Sequence, residues 1–223
     1  MANTVEFWQQ RWLDNQTGFH EGKVNAYLKK NIDYLSLAKN DTVFLPLCGK
    51  SYDILWLAGR GYNVIGVECS ELAVKAFFSE NNLQATTSDF LSEHGQFKVW
   101  QSGNITIYCG DFFALESSIL TAVTAIFDRA ALVALEQGMR QKYIQKLIQL
   151  CPTAKIVLVS LEYPQAEMGG PPFAVTEQEI QQLLKPHYAI TRIENNDILT
   201  DNDKFKARGL TQLIEKVFTI FPK

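Results

Sequence analysis

Glu68 ends the apolar run Asn63-Val64-Ile65-Gly66-Val67. It lies about 20 residues beyond a tight turn, Leu47-Cys48-Gly49-Lys50, which closes an earlier apolar run starting at Val43. A strand, a tight turn, a helical stretch and a second strand ending in a carboxylate make one βαβ unit. In such units the ligand sits at the C-terminal ends of the strands, against the helix N-terminus, and an acid at the second strand tip holds the two hydroxyls of a ribose. The expectation is a nucleoside-containing cofactor. Dinucleotides need G-x-G-x-x-G so that a pyrophosphate can approach the backbone, and this turn has one glycine, Gly49. Gly49-Lys50-Ser51 ends like a phosphate-binding loop, but the first glycine of that motif falls at Phe44, inside the strand. S-adenosyl-L-methionine carries no phosphate, so a glycine-poor turn suffices. The turn from Leu47 to Lys50 is sized for its amino-acid tail, and Glu68 suits its ribose. Gly110-Asp111-Phe112 suits its adenine, with Asp111 accepting from the amino group and Phe112 forming a wall.

These residues need a scaffold. From Thr4 to Leu13, Phe7, Trp8, Arg11 and Trp12 fall at helical spacings, and Asn15-Gln16-Thr17-Gly18 breaks the pattern before a loop, Phe19-His20-Glu21. A second amphipathic helix is expected from about Asn25 to Leu37. Strands are expected from Thr42 to Leu47, Tyr62 to Val67, Ile105 to Cys109, Val123 to Phe127 and Ile156 to Leu161. A final antiparallel pair, Tyr188 to Ile193 and Leu210 to Ile220, flanks the polar segment Glu194 to Gly209. Phe97 to Trp100 either pairs with Asn104 to Cys109 across Ser102-Gly103 or leaves Ile105 to Cys109 alone, and Thr86 to Gly95 reads as irregular. Interleaved helices run from Ser51 to Gly59, from Glu71 to Asn81 behind Ser70 as cap, and from Leu132 to Leu150. Another opens at the capping box Thr176-Glu177-Gln178-Glu179. The expected fold class is α/β: a seven-stranded, mostly parallel, doubly wound Rossmann-like sheet with an antiparallel C-terminal hairpin. Residues 1–41 form an N-terminal helical extension over the sheet core of 42–223, in one domain.

Composition narrows the function classes. With 223 residues, 47% hydrophobic and 12% aromatic, the chain suits a globular enzyme, and a net charge of −3 argues against nucleic acid or an anionic membrane as partner. Cys48, Cys69, Cys109 and Cys151 contain no CxxC and read as reduced thiols. His20, His94 and His187 form no ligand cluster, so no metal is expected. No apolar run reaches a membrane span and no leader pattern opens the chain, so the expectation is a cytoplasmic monomer.

The chain resembles the thiopurine S-methyltransferases along nearly its whole length. The matching segments are Phe7-Trp8-Gln9-Gln10-Arg11-Trp12, Gly18-Phe19-His20, Phe44-Leu45-Pro46-Leu47-Cys48-Gly49-Lys50-Ser51, Gly66-Val67-Glu68, Gly103-Asn104-Ile105, Phe127-Asp128-Arg129-Ala130-Ala131-Leu132-Val133-Ala134 and Gly170-Pro171-Pro172-Phe173. The resemblance implies that Trp12, Leu47, Glu68 and Arg129 contact S-adenosylmethionine, with Asp111 and Phe112 on the adenine side. It implies that Phe19 and His20 form a lid, and that Pro171, Pro172 and Phe173 lie near the acceptor. Animal members carry a substrate-side arginine in the region of Asp201 to Arg208. Here Lys204 falls nearest, with Arg208 further on, and the resemblance leaves open which faces the pocket. It implies a small aromatic or heterocyclic thiol such as a thiopurine as acceptor, with selenium or tellurium compounds as the alternative.

Arg129 is the residue expected to act beyond binding. It follows Asp128 at the strand edge where chemistry is placed, and its permanent charge suits a thiolate, a purine nitrogen or the cofactor carboxylate. Its alternative is a structural pair with Asp128 or another acid. For Asp128 both a structural and a catalytic role stay open. His20 reads as polar lining more than as a general base, and Phe19 and Phe173 as an apolar acceptor wall. Methyl transfer to sulfur is an in-line displacement in which a thiolate is already a strong nucleophile, so a general base is optional.

Overall fold

The computed structural model describes residues 4–223. Thr4 caps the first helix, α1 (Val5–Leu13), by accepting from the Phe7 amide, and the Asn25 side chain accepts from Tyr27 and Leu28 to open α2 (Ala26–Asn31). The expected second helix is shorter than its pattern: beyond Asn31 it tightens into a 3₁₀ turn, Ile32–Leu35. β1 (Thr42–Leu45) is buried at every position, and Ser51 then caps α3 (Tyr52–Gly59). β2 (Asn63–Glu68) leads through the Ser70 cap into α4 (Glu71–Glu80).

The next stretch corrects the sequence reading. Thr86–Leu91, expected to be irregular, is β3, and it pairs antiparallel with β4 (Gln96–Ser102), which pairs in turn with β5 (Ile105–Cys109). β3 carries an exposed polar face at the rim of the sheet and lacks the apolar alternation by which strands are recognised. The sheet therefore has nine strands, in the order β3-β4-β5-β2-β1-β6-β7-β9-β8, with β6 (Val123–Arg129), β7 (Lys155–Glu162), β8 (Tyr188–Asp197) and β9 (Ile214–Pro222). It is mixed rather than mostly parallel. The central strands β5, β2, β1, β6 and β7 run parallel, and both flanks are antiparallel. The expected C-terminal hairpin is present, as β8 and β9.

Between β6 and β7 the long expected helix starts late. Leu132–Ala134 forms a 3₁₀ turn, and α5 spans Gln137–Leu150. Half of the expected capping box forms: the Glu179 amide donates to Thr176 Oγ1 at 3.2 Å and opens α6 (Glu177–Leu184), while the Glu179 carboxylate binds Arg140 instead of reaching back to Thr176. The polar segment between β8 and β9 folds into a 3₁₀ turn and a short helix, α7 (Asp203–Ala207).

Two apolar clusters cover the two faces of the sheet. One gathers α2, α3 and α4 residues such as Leu28, Leu57 and Phe77, and the other gathers α5 and α6 residues such as Tyr143, Leu147 and Ile180. Among the described residues no helix is long and apolar enough to cross a membrane. Thr176→Ala is expected to remove the α6 cap and lower unfolding free energy by about 1 kcal/mol in urea titration. An unchanged midpoint would show that packing alone sets the start of α6.

Candidate active site

One cavity of about 380 Å³ opens at the C-terminal edge of the parallel strands, where β1, β2, β6 and β7 end and the loop after α1 folds over them. Glu68, at the tip of β2, is 5% exposed. Its Oε2 accepts from the Gly49 amide at 2.9 Å and its Oε1 from the Ser70 amide at 2.8 Å. Burial raises its pKa, and those two amides oppose the rise. The Cys69 thiol also donates to Oε1 at 3.5 Å, so of about four lone-pair directions on the carboxylate the open one lies on Oε2, with the weak thiol bond the easiest to displace.

The turn beside it has an unusual backbone. Leu47 has φ +48° and Gly49 has φ +53°. Position 49 has a second reason to be glycine, because a Cβ there would stand 3.1 Å from Trp12 Cζ2. Gly66 is explained from below: a Cβ on it would meet Cys48 Sγ at 2.7 Å. Lys50, the residue that imitates a phosphate-binding loop, lines the cavity with its ammonium paired to Glu80 of α4 at 2.7 Å.

Arg129 ends β6, and the αL residue Ala130 follows it with φ +64°. Its Nη1 donates to the Phe19 carbonyl at 2.7 Å and its Nη2 to Glu21 at 2.7 Å. The acid that pairs with it is Glu21, and Asp128 is committed elsewhere. Asp128 accepts from the Tyr143 hydroxyl at 2.6 Å and the Leu132 amide at 3.1 Å, beneath the cavity. It is 1% exposed and does not line the cavity, so its role is structural.

The loop over the cavity is anchored at several points. Trp8 and Trp12 both meet Phe19 edge to face, at 5.8 and 5.3 Å between ring centroids. His20 stacks on Tyr52 at 5.9 Å. Burial lowers its pKa first, and Lys50 lowers it further. The Asn25 amide donates to Asp53 at 2.7 Å, and Gln9 reaches the Cys69 carbonyl at 3.1 Å.

Of the residues singled out from sequence, Trp12, Phe19, His20, Leu47, Gly49, Glu68, Arg129, Pro171 and Pro172 share this cavity. Besides Asp128, three do not line it. Phe173 donates its amide to the Val133 carbonyl, and its ring packs over Gly170 on the far side of the loop. Phe112 is 2% exposed in the core, 4.9 Å from the Tyr143 ring. Asp111 is exposed and accepts from the Phe113 amide, capping the 3₁₀ turn after β5. Both follow Gly110, whose amide donates to the Glu68 carbonyl, so they adjoin the strand tip without reaching into the cavity. Lys204 and Arg208 both line it, with Phe205 between them on α7.

Sequence reasoning missed Tyr52, Asp53 and Glu215, which also line the cavity. Two of these left a visible signal. Asp53 shares a helical face with Leu57, and Glu215 shares a strand face with Leu213 and Val217, so each is an acid at an inward-facing position.

With the geometry in place, the relatives decide the family. The thiopurine S-methyltransferase family model matches residues 3–223. A thiopurine S-methyltransferase of Pseudomonas fluorescens strain Pf0-1 is 44% identical over 215 residues, covering 96% of this chain and 97% of the relative. The chain belongs to the thiopurine S-methyltransferase family. It is an S-adenosylmethionine-dependent methyltransferase. Solved structures agree on the fold. A SAM-dependent methyltransferase from Anabaena variabilis aligns with TM-score 0.68 at 14% identity, covering 100% of this chain and 96% of that one. The Burkholderia thailandensis 1,6-didemethyltoxoflavin-N1-methyltransferase, with bound S-adenosylhomocysteine, aligns with TM-score 0.62 at 13% identity, covering 98% and 87%.

Asp128 carries a pH signature. Burial pushes it up from 3.8 to about 6, while the Tyr143 hydroxyl and the Leu132 amide oppose the rise. A raised carboxyl favours the folded chain fully below about 3.8, and that contribution is lost as pH rises through about 6. Asp128→Asn should flatten this part of the stability profile in thermal melts across that window; an unchanged slope would assign it to other acids.

Proposed function

We propose that the enzyme transfers the methyl group of S-adenosylmethionine to the sulfur of a small aromatic or heterocyclic thiol such as a thiopurine. One observation carries the reading: a single cavity holds the Leu47–Gly49 turn, Glu68, Arg129 and the apolar surfaces of Phe19, Pro171, Pro172 and Phe205. The residues present fit the cofactor. Glu68 keeps an open acceptor direction on Oε2, and displacing the weak Cys69 thiol bond frees a second on Oε1, which suits paired ribose hydroxyls. The αL turn at Leu47 and Gly49 brings the backbone to the cavity wall, where an amino-acid tail needs it, and Trp12 packs above it. When bound, S-adenosylmethionine supplies an electrophilic methyl group on a sulfonium.

The remaining work falls to the chain. Phe19, His20 and the two tryptophans close over the edge of the sheet and exclude water, which favours an aligned displacement between a soft nucleophile and a cationic donor. The flat apolar walls suit a planar ring. Arg129 holds a permanent positive charge beside the site, suited to steadying a thiolate. It also positions the cover through Phe19 and Glu21. Asp111, exposed beyond the tip of β5, is the adenine-side residue, turning its carboxylate from its capping bond toward the purine amino group, while Phe112 backs that turn from the core. Phe173 acts as backing for Pro171 and Pro172.

Two variants test the assignment. Glu68→Gln keeps volume and one backbone acceptor, and it should weaken S-adenosylmethionine binding at least about tenfold by calorimetry. Unchanged affinity would sink the ribose role. Arg129→Ala should lower kcat by a larger factor than it weakens cofactor binding, whereas equal losses would reduce it to a cofactor ligand. Methyl-transfer assays over aromatic thiols, selenite and tellurite set the acceptor class; activity confined to the metalloid oxyanions would overturn the thiol reading.

A further inference from the structure

Transfer of a methyl group from a sulfonium to a neutral thiol has a charge consequence. The sulfonium loses its positive charge, and the thiol releases a proton. The S–C bond to the acceptor forms as the C–S bond to the sulfonium breaks, its electron pair staying on that sulfur, and the S–H bond must give its proton to a base. For an acceptor already ionised in water no base is needed, and for a weakly acidic thiol one is.

Arg129 sits among three acids, Glu21, Asp53 and Glu215, from a loop, α3 and β9, all lining the same cavity. Two of them are committed. Glu21 is bound to Arg129 at 2.7 Å and also accepts from the Asn25 side-chain amide at 3.2 Å. Asp53 is 3% exposed, and its two oxygens accept from the Asn25 amide at 2.7 Å and the Ser51 hydroxyl at 2.8 Å. Glu68 is committed to two backbone amides. His20 faces Lys50 and Arg129, whose charges oppose its taking a proton.

Glu215 differs from these. It is half-buried on β9, on the strand face it shares with the buried Val217, and it opens onto the cavity. Burial raises its pKa, while the Tyr27 hydroxyl, itself an acceptor from Asn196 at 3.2 Å, and the charge of Arg129 lower it. The titratable and charged groups that act on it are Tyr27 from α2, Arg129 from β6 and Glu21; Asp53 from α3 lines the same cavity, and Glu194 on β8, paired with Lys30, acts on Tyr27. Its strand neighbour Lys216 is engaged with Glu162 at 2.6 Å.

We propose that Glu215 is the proton acceptor of this site, taking the thiol proton as the acceptor sulfur bonds to the methyl carbon. The role rests on the thiol reading above and goes beyond it, since it extends the acceptors from pre-ionised heteroaryl thiols to un-ionised ones. The positive charge of Arg129, itself bound to Glu21, acts against the rise that burial gives the Glu215 carboxyl.

The test compares two acceptors of similar size, 4-nitrothiophenol, ionised at neutral pH, and benzyl mercaptan, which is not. E215Q should lower kcat/KM for benzyl mercaptan by about 100-fold and leave 4-nitrothiophenol within about threefold of wild type. Its S-adenosylmethionine affinity by calorimetry should be unchanged. E215D should recover part of the benzyl mercaptan rate. In the wild type, kcat/KM for benzyl mercaptan should fall on acidification with a limb that 4-nitrothiophenol lacks, a reading that holds even should E215Q fail to fold. Equal losses on both thiols, or loss of the acid limb in His20→Gln with E215Q unaffected, would overturn the role of Glu215 alone. A wild-type enzyme that methylates neither thiol overturns the thiol reading and this role with it.

Discussion

A buried carboxylate holds this site together. Glu68 lies at the tip of β2 with 5% exposure, and it survives there because the Gly49 amide and the Ser70 amide donate to its two oxygens. Those donors belong to different turns, so one side chain ties the end of β1 to the start of α4. Leaving either amide without its acceptor costs about 1–3 kcal/mol. Gly66 makes room for Cys48 beneath the turn, and Gly49 makes room for Trp12 above it. Trp12 in turn seats Phe19. The position of the cover over the cavity therefore depends on a bond made at the strand tip.

Arg129 closes the arrangement from the other side. It is the last residue of β6, yet its partners are the Phe19 carbonyl and Glu21, more than a hundred positions earlier in the chain. The sheet edge and its cover thus share a charged contact inside the site. The contact is partly screened, with both side chains between a fifth and a third exposed, so its contribution to stability is small. Its significance is positional: any ligand that draws on the Arg129 charge acts on the same group that holds the loop.

Several elements were legible from local pattern. The βαβ unit, the Ser70 and Thr176 caps and the final hairpin follow from apolar runs, capping residues and turn chemistry. β3 was not legible, because Thr86–Leu91 has an exposed face and no alternation; its strand character comes from pairing with β4. Helix α5 begins later than its apolar period suggests, because the residues after Ala130 turn under the strand edge, where the Leu132 amide bonds to Asp128. At the site, the motif residues Trp12, Leu47, Gly49, Glu68 and Arg129 share one cavity. Asp53 and Glu215 were visible only as acids in inward-facing positions, and nothing in one strand or helix says that two such positions converge.

By itself, the amino-acid sequence determined the chemistry available at each strand tip: an acid after β2, an arginine after β6, one glycine in the first turn and no second glycine for a phosphate. These are matters of residue type and short spacing. Only the tertiary structure decided which acid Arg129 takes, that Asp128 belongs to Tyr143 beneath the cavity, that Phe173 does not line the cavity as Pro171 and Pro172 do, and that Glu215 opens onto the same space as Glu21 and Asp53. Partner choice and burial are set where distant strands and loops meet, and the charge state of a carboxyl follows from that meeting and not from its neighbours along the chain.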